Sequence, residues 1–447
     1  MVSIRRALAG VKDDLPQRIE LHLNDCLAEL PAPRRRRLLD PLSTLLLFIT
    51  QVMHGNTAIQ HLRHLADMPA SATAYCKARR RLPLRLFTQL VRRIAAELMP
   101  AGDDACRWRG HRVWRADGTG CSMPDTPQLR AHFGQPGGQR EGCGFPVATT
   151  LVLCNAAGLI ARMIALPLRT HEASQLSQLH DQLGAGDVLV YDRAGCSFAH
   201  LALLFLRNLH GLFRMHQKQI VSFRHRRRHA RQFPKGQRAG RPTSRWIKRL
   251  GRYDQLVRWI KPAARPKWLT REQYDLLPDS LVLRELRYRV NRKGFRTEQV
   301  TLVTTLTDPV AYPAAELAEQ YGLRWQIEVD FRHLKQTMNM DVLKCKTADG
   351  VMKELAIFML VYNLVRLVML RASHRQKVPL DRISFIDALR WLCAARDGRD
   401  LGDLVVNPHR PGRFEPRVIK RRKDRYPVMT RPREQLRKAL LGNRVMA

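Results

Sequence analysis

The sequence predicts an α/β protein whose core carries a basic, strand-rich insertion and is flanked by helical regions. Three observations predict it. Apolar residues recur at helical spacing over 1–105 and again beyond 308. Short apolar runs of strand length alternate with helical stretches over 106–217, and bases crowd the segment 218–307. The chain has 447 residues, 45% of them hydrophobic, which is enough for two or three domains with at least one sizeable core.

Each region has its own signals. In 1–105, Leu42, Leu45, Leu46 and Ile49 share a helical face, as do Leu86, Leu90 and Ile94 after the Pro83 break. Between them, Lys77, Arg79, Arg80 and Arg81 follow Ser71 to Tyr75. This reads equally as a basic helix that docks on DNA and as a solvated face. In 106–217, Val113 to Ala116 is a strand ending at Asp117-Gly118. Val147 to Cys154 and Ile160 to Leu168 are two more, joined at the Ala157-Gly158 turn. Thr170 and Glu172 open an amphipathic helix through Leu176, Leu179 and Leu183, stopped by Gly184 and Gly186. Val188 to Tyr191 is a buried strand, Ser197 to Leu209 a helix, and Leu212 to Met215 a fifth strand. Strand-strand-strand-helix-strand-helix-strand is the order of a ribonuclease-H-like core.

Over 218–271 Asp254 is the only acid among many bases, including Lys218, Arg224, Arg226, Arg227, Arg228, Arg231 and Lys235. Strand patterns return at Leu281 to Leu283 and Val300 to Thr304. The segment 218–307 therefore reads as an insertion with a small sheet beside the core and an Arg-rich exposed loop. Within 308–373, Pro313 starts a long helix to about Met338, and a second helix runs from Val351 to Ala372. The last region, 374–447, is helical and ends in a Pro- and Arg-rich tail after Asn407.

The formal net charge is +39, from 78 Lys+Arg against 39 Asp+Glu, a field that calls for a polyanion. A GC-rich coding bias accounts for Arg in place of Lys but not for a two-to-one excess of base over acid. No stretch reaches the length of a membrane span: the most apolar run, Leu355 to Leu370, is broken by Asn363 and Arg366 and reads as a buried helix. Nine scattered cysteines without zinc spacing, and no signal peptide, suggest free thiols in a cytoplasm. Nucleic acid is then the expected partner, not membrane.

Three carboxylates stand out. Asp117 sits where a strand meets Gly118, and Asp192 directly follows Val188 to Tyr191, where open α/β sheets place ligands. Either alone could be a turn or cap residue. On the helix after Pro313, Leu323, Ile327, Phe331, Leu334 and Met338 form a core stripe. Tyr321, Arg324, Glu328 and Lys335 form a second stripe roughly 90° from it. The bland reading of that stripe is a face of ion pairs. The functional one needs two further carboxylates at strand ends, and Asp117 and Asp192 supply them. Two Mg²⁺ ions roughly 3.5–4 Å apart, held by a few oxygen ligands, activate a nucleophile and stabilise a leaving oxygen in phosphodiester cleavage.

Tyr321-x-x-Arg324-x-x-x-Glu328-x-x-x-x-x-x-Lys335 matches the Y-(2)-R-(3)-E-(6)-K signature of the bacterial insertion-sequence transposases called the IS four family. Asp117-Gly118-Thr119 and Asp192-Arg193-x-Gly195-x-x-Phe198 resemble that family's two aspartate motifs, and Lys420-Arg-Arg-Lys423 with Tyr426-Pro427 resembles its tail. The resemblance implies a ribonuclease-H-like core with a strand-rich insertion before the glutamate. It implies that Asp117, Asp192 and Glu328 are a catalytic triad binding two Mg²⁺, with Mn²⁺ substituting. It further implies that Tyr321, Arg324, Lys335 and Arg193 contact DNA phosphates. The expected activity is cleavage and strand transfer at terminal inverted repeats of double-stranded DNA, through a hairpin, by a homodimer in the bacterial cytoplasm at the nucleoid. A Trp of the insertion aids base flipping in such enzymes; Trp246, Trp259 and Trp268 are candidates that spacing does not separate, while Trp325 reads as packing. Two alternatives stay open: a ribonuclease-H-like nuclease without strand transfer, and a DNA-binding descendant without catalysis.

Overall fold

The structure is a computed structural model that describes residues 15–29, 38–66, 70–103, 107–136, 144–216, 219, 221–224, 242–290, 299–394, 402–408, 435 and 439. The tail motif at 420–427 and the bases Lys218, Arg226, Arg227, Arg228, Arg231 and Lys235 lie outside the described residues.

The N-terminal region is helical, as its periodicity predicts: α1 (Leu15–Ala28), α2 (Pro41–Met53), α3 (Ala72–Arg81) and α4 (Leu84–Leu98). Asp40 caps α2, its side chain accepting from Ser43 N, with Pro41 at the first helical position. Ser71 caps α3 in the same way. On α3, Lys77, Arg80 and Arg81 are exposed, but Arg79 turns inward. It donates to Gln51 Oε1 at 2.9 Å and covers the Phe48 ring at 4.2 Å. One of the four bases of that helix is thus structural.

Five core strands follow: β1 (His111–Ser122), β2 (Val147–Asn155), β3 (Ile160–Pro167), β4 (Val188–Tyr191) and β5 (His210–Arg214). They lie in the order β3-β2-β1-β4-β5. β1, β2 and β3 form an antiparallel meander, while β4 and β5 run parallel to β1. This is the ribonuclease-H-like arrangement that the element order predicts. β4 is buried at every residue, as befits a parallel strand covered on both faces.

Two core predictions need correction. β1 does not end at Asp117: Gly118, Thr119 and Gly120 keep their ladder with β2 out to Ser122, whereas β4 pairs only with Val113, Trp114 and Arg115. Asp117 therefore lies mid-strand, at the point where β1 outruns β4. The helix predicted after β3 is two 3₁₀ turns, Glu172–Ser174 and Leu176–Gln182. The helix after β4 is present as α5 (Phe198–Leu206), capped by Ser197.

The insertion is strand-rich as predicted, but it does not build a separate small sheet. Its strands β6 (Thr243–Gly251), β7 (Asp254–Ile260), β8 (Ser280–Arg289) and β9 (Gln299–Thr304) extend the core sheet in the order β5-β9-β8-β7-β6. Leu302, Val303 and Thr304 pair with Arg214, Phe213 and Leu212, so the edge of β5 is covered. With the short strand Arg107–Trp108 on β1, ten strands form one sheet. Asp254, the lone acid of the basic stretch, has a specific task. It accepts from buried Arg284 at 2.8 Å, and Arg284 also donates to the Tyr312 carbonyl, tying β7 and β8 to the lead-in of the next helix.

The long helix predicted from Pro313 exists, but its pitch changes along its length. It comprises α6 (Ala314–Gly322), a 3₁₀ turn Leu323–Trp325, α7 (Gln326–Arg332) and a π turn His333–Thr337. Each 3₁₀ residue advances about 120° rather than 100°. The phase shift exposes Leu323, predicted in the core, and buries Tyr321, predicted on the polar face. Ile327, Phe331, Leu334 and Met338 keep the predicted core stripe.

The chain then enters α8 (Ala348–Gln376) and α9 (Phe385–Ala394). α8 is long and apolar enough to cross a membrane, which corrects the expectation that no stretch reaches that length. Yet 89% of its apolar window is buried inside the protein. It packs on α2, α4, α9 and β3, so the N-terminal helices share one apolar core with it. The seven described cysteines are all free, as predicted.

Candidate active site

The parallel register of β1 on β4 sets the first two carboxylates. Val113 pairs with Val188 and Arg115 with Val190. The ladder ends there, two residues short of Asp117 and of Asp192, which follows the last residue of β4, and the Asp192 charge is close enough to act on Asp117. Asp192 Oδ1 accepts the Ala194 N–H at 2.7 Å, and Asp117 Oδ1 accepts the Gly118 N–H at 2.9 Å. Gly195, in the turn after Asp192, allows that turn to close on the Tyr191 ring; any side chain there would collide with it.

The helix brings Glu328 to the same place through Arg324. The Arg324 guanidinium donates to Asp117 Oδ2 at 2.7 Å and to Glu328 Oε1 at 3.4 Å. Side-chain exposure rises from 10% at Arg324 through 20% at Asp117 to 42% at Glu328, so the cluster opens to solvent on the helix side. The ion-pair reading of the polar stripe holds, and its partner is a strand carboxylate. Arg324 and Glu328 do form an ion pair along the helix, and that pair is anchored on a strand carboxylate. Tyr321 is buried, its ring 5.9 Å from the Arg324 guanidinium. Lys335, on the π turn, pairs with Asp341 at 2.9 Å, and Arg193 is exposed beside Asp192.

Electrostatics favour an added cation. Burial pushes the Asp117 carboxyl above its usual range and Asp192 adds to the rise, while Arg324 and the Gly118 N–H oppose it. Burial also raises Glu328, with Asp117 adding and Arg324 opposing. All candidate ligands are carboxylate oxygens, which suits Mg²⁺ or Mn²⁺. Among the described residues no three His, Cys, Asp or Glu side chains stand at the spacing that shares one ion. The guanidinium inserted between Asp117 and Glu328 accounts for the distance between those two.

Sequence reasoning missed one carboxylate. Glu172, expected as a helix-opening residue, sits in the 3₁₀ turn after β3 with its carboxyl group against the Cα of Gly118, where any side chain would collide with it. Burial raises its carboxyl, and Asp117 and Asp192 raise it further. No periodicity marks it, because its position depends on how β3 returns to the sheet. Two tryptophans are also clarified. Trp325 is 48% exposed rather than packed, and Trp259 is buried with its indole donating to Glu285 at 3.0 Å, out of reach of an extruded base.

A ribonuclease-H-like sheet with one acidic side chain midway along its central strand and another just past the end of the neighbouring one defines a class of enzymes that act on nucleic acid. Residues 108–364 match the family described as Transposase DDE domain, and the chain belongs to the DDE transposases, within the IS4 family. It is 28% identical over 368 residues to transposase InsG for insertion sequence element IS4 of Escherichia coli (strain K12), covering 77% of this chain and 76% of that one. Among solved structures, the cryo-EM piggyBac transposase synaptic complex with hairpin DNA is similar at a TM-score of 0.43 and 10% identity, over 88% of this chain and 80% of that one.

Proposed function

We propose that this DNA transposase binds the terminal inverted repeats of an insertion sequence and carries out metal-dependent cleavage and strand transfer, with Asp117, Asp192 and Glu328 as the metal-binding triad. The observation that carries the reading is that Arg324 joins Asp117 to Glu328, with Asp192, just past the end of the neighbouring strand, close enough for its charge to act on Asp117. Two Mg²⁺ ions, or Mn²⁺ in their place, would activate the attacking water or 3′ hydroxyl and stabilise the leaving oxygen.

The chain's own residues supply the rest. Asp117 and Asp192 offer oxygen ligands from a rigid sheet, and Glu328 offers a third from a helix. Arg324, whose planar fork now holds Asp117 and Glu328, would turn it to a phosphate near the cut when those carboxylates hold cations. Tyr321 is buried and orients Arg324 rather than reaching a phosphate itself. Arg193 and Lys335 contact phosphates from either side, Lys335 after leaving Asp341. The freed 3′ hydroxyl then attacks a phosphodiester of the opposite strand, closing a hairpin as the bond to the flanking strand's 3′ oxygen breaks and that oxygen leaves as a hydroxyl, within a homodimer that holds both transposon ends at the nucleoid in the cytoplasm.

The test uses purified protein, supercoiled DNA bearing the cognate terminal repeats, and Mg²⁺. Excised ends and insertions support the proposal. Cuts without joining indicate a nuclease, and band shifts without cuts a DNA-binding protein that has lost catalysis.

A further inference from the structure

One residue breaks the apolar pattern of the helix that carries Glu328. Ile327, Phe331 and Leu334 follow helical spacing, and the pattern asks for a fourth apolar residue three positions after Ile327. Asp330 stands there instead, with its side chain 8% exposed. At about 100° per residue, Glu328 and Asp330 point to nearly opposite sides of the helix. While Glu328 reaches Arg324, Asp330 faces α8.

On α8 it meets Arg366, Oδ1 to Nη1 at 4.0 Å, and the Arg366 side chain is 9% exposed. Arg366 is itself fixed. Its Nε donates to the Ala157 carbonyl at 3.0 Å, and its Nη2 donates to the same oxygen. Gly158 makes room for the guanidinium: a side chain there would collide with it, and φ is +79°. One turn earlier on α8, the Asn363 side chain donates to Ile160 O and accepts from Ile160 N, both at 2.8 Å. The turn between β2 and β3 is thereby locked to α8. The strand that carries Asp117 reaches the same turn. Arg115, two residues before Asp117 and on the same face of β1, is buried and donates to the Ala156 carbonyl at 3.2 Å. The helix of Glu328 and the strand of Asp117 are thus both tied to one turn, the first through Asp330 and Arg366, the second through Arg115. A ring stack repeats the tie to α8 further along: His333 of the π turn and Tyr362 of α8 both stack on Phe385 of α9, at 4.2 and 5.5 Å.

Stability does not explain a charged pair at this position. Taking two charges out of water costs about as much as their attraction returns, and apolar residues of similar volume often serve as well or better. Fixing the register of two elements is the best-attested use of such a pair.

We propose that Asp330 is a positioning residue: paired with Arg366, it holds the helix at the height on the sheet where Glu328 faces Asp117. The proposal rests on the assignment of Asp117 and Glu328 to the reaction. It gives the helix a hold on the sheet that does not depend on Arg324, whose fork the proposed function turns to DNA.

The test removes the pair without leaving a lone buried charge. Asp330→Val combined with Arg366→Met makes both side chains apolar. Three quantities are measured on the full chain: the single-turnover cleavage rate of terminal-repeat DNA at saturating protein and Mg²⁺, the affinity for that DNA by band shift, and the melting temperature. The double variant should melt close to the wild type and bind DNA within about twofold, yet cleave about a hundredfold more slowly, the loss that a displacement of about 1 Å causes. Cleavage at the wild-type rate by the folded double variant would overturn the proposal and leave the pair as packing. A loss of DNA affinity as large as the loss of rate would overturn it too, as a general disturbance of the fold. Should the double variant not fold, Asp330→Asn carries the same test, since it keeps the shape and the bonds of Arg366 to Ala157 and removes one charge. Glu328→Gln is measured beside them. If it cleaves at the wild-type rate, the triad assignment fails and the positioning role falls with it. If it is inactive while the Asp330 variants cleave normally, only the role of Asp330 is refuted.

Discussion

At the scale of single residues, Arg324 links the site together. It is an inward-facing cation between Asp117 and Glu328, and the proposed function makes it a phosphate ligand in the working complex. Replacing it with Ala should lower the slope of log affinity against log salt for terminal-repeat DNA by about 0.9, the value of one duplex phosphate contact. An unchanged slope in salt-titrated band shifts would leave Arg324 as a purely internal ion pair. Arg324→Lys should restore the slope but not full affinity, since a point charge cannot reproduce the bidentate fork. Arg324 and Glu328 were legible in the sequence because they stand four residues apart, a spacing that still brings them together across the change from 3₁₀ to α pitch. The burial of Tyr321 and the pairing of Lys335 with Asp341 were not. Both follow from the 3₁₀ and π turns, which rotate the face without any signal in the residue types. Glu172 was illegible for another reason: its place depends on tertiary return to the sheet, not on local pattern.

At the scale of elements, the insertion is joined to the core by sheet pairing, and Arg284, paired with Asp254 inside it, reaches the Tyr312 carbonyl beyond it. Arg284 has a side chain 1% exposed and depends on Asp254 for its charge balance. Asp254→Ala should therefore cost about 3–5 kcal/mol, the usual penalty for leaving one partner of a buried pair uncompensated. Urea unfolding of the full chain measures this, and a cost below about 1 kcal/mol would mean that water reaches Arg284. The strands of the insertion were predictable from alternation, but their addition to the edge of β5 was not. Periodicity gives which face of a strand is apolar and says nothing about which strand it joins. The early end assigned to β1 has a similar cause: Asp117-Gly118 reads as a strand end, and only the ladder with β2 shows the strand running on to Ser122.

At the scale of the whole molecule, a pH dependence of stability follows from buried neutral histidines. Burial depresses His200 to about 3, and His180 and His333 to about 4. In the unfolded chain each titrates near 6.5. Because the folded values are lowered, their contribution is complete above about pH 6.5 and is lost as the pH falls toward 3–4. At pH 5 each forfeits about 2 kcal/mol, at about 1.36 kcal/mol per pKa unit. The raised carboxyls of Asp117, Glu172 and Glu328 act in the opposite sense, gaining stability as the pH falls. The histidine contribution is isolated with His200→Phe, which keeps the stack on Trp268. Between pH 7 and 5 the wild type should lose about 2 kcal/mol more than this variant in urea unfolding. Equal losses would show that His200 is hydrated.

The charge of the whole chain, +39, serves the same end as the site: it gathers a polyanion before any sequence is read. That much, the core order and the three carboxylates were legible from composition, element order and spacing. The central claim is that Asp117, Asp192 and Glu328 carry the chemistry, and the most direct measurement compares the wild type with Asp117→Asn, Asp192→Asn and Glu328→Gln. Each is assayed for end cleavage and strand transfer on terminal-repeat DNA in Mg²⁺, alongside band shifts of the same DNA. Loss of a metal ligand's charge should abolish both reactions in all three variants while the band shifts remain within about twofold of wild type. Cleavage at the wild-type rate by any one of them would contradict the account.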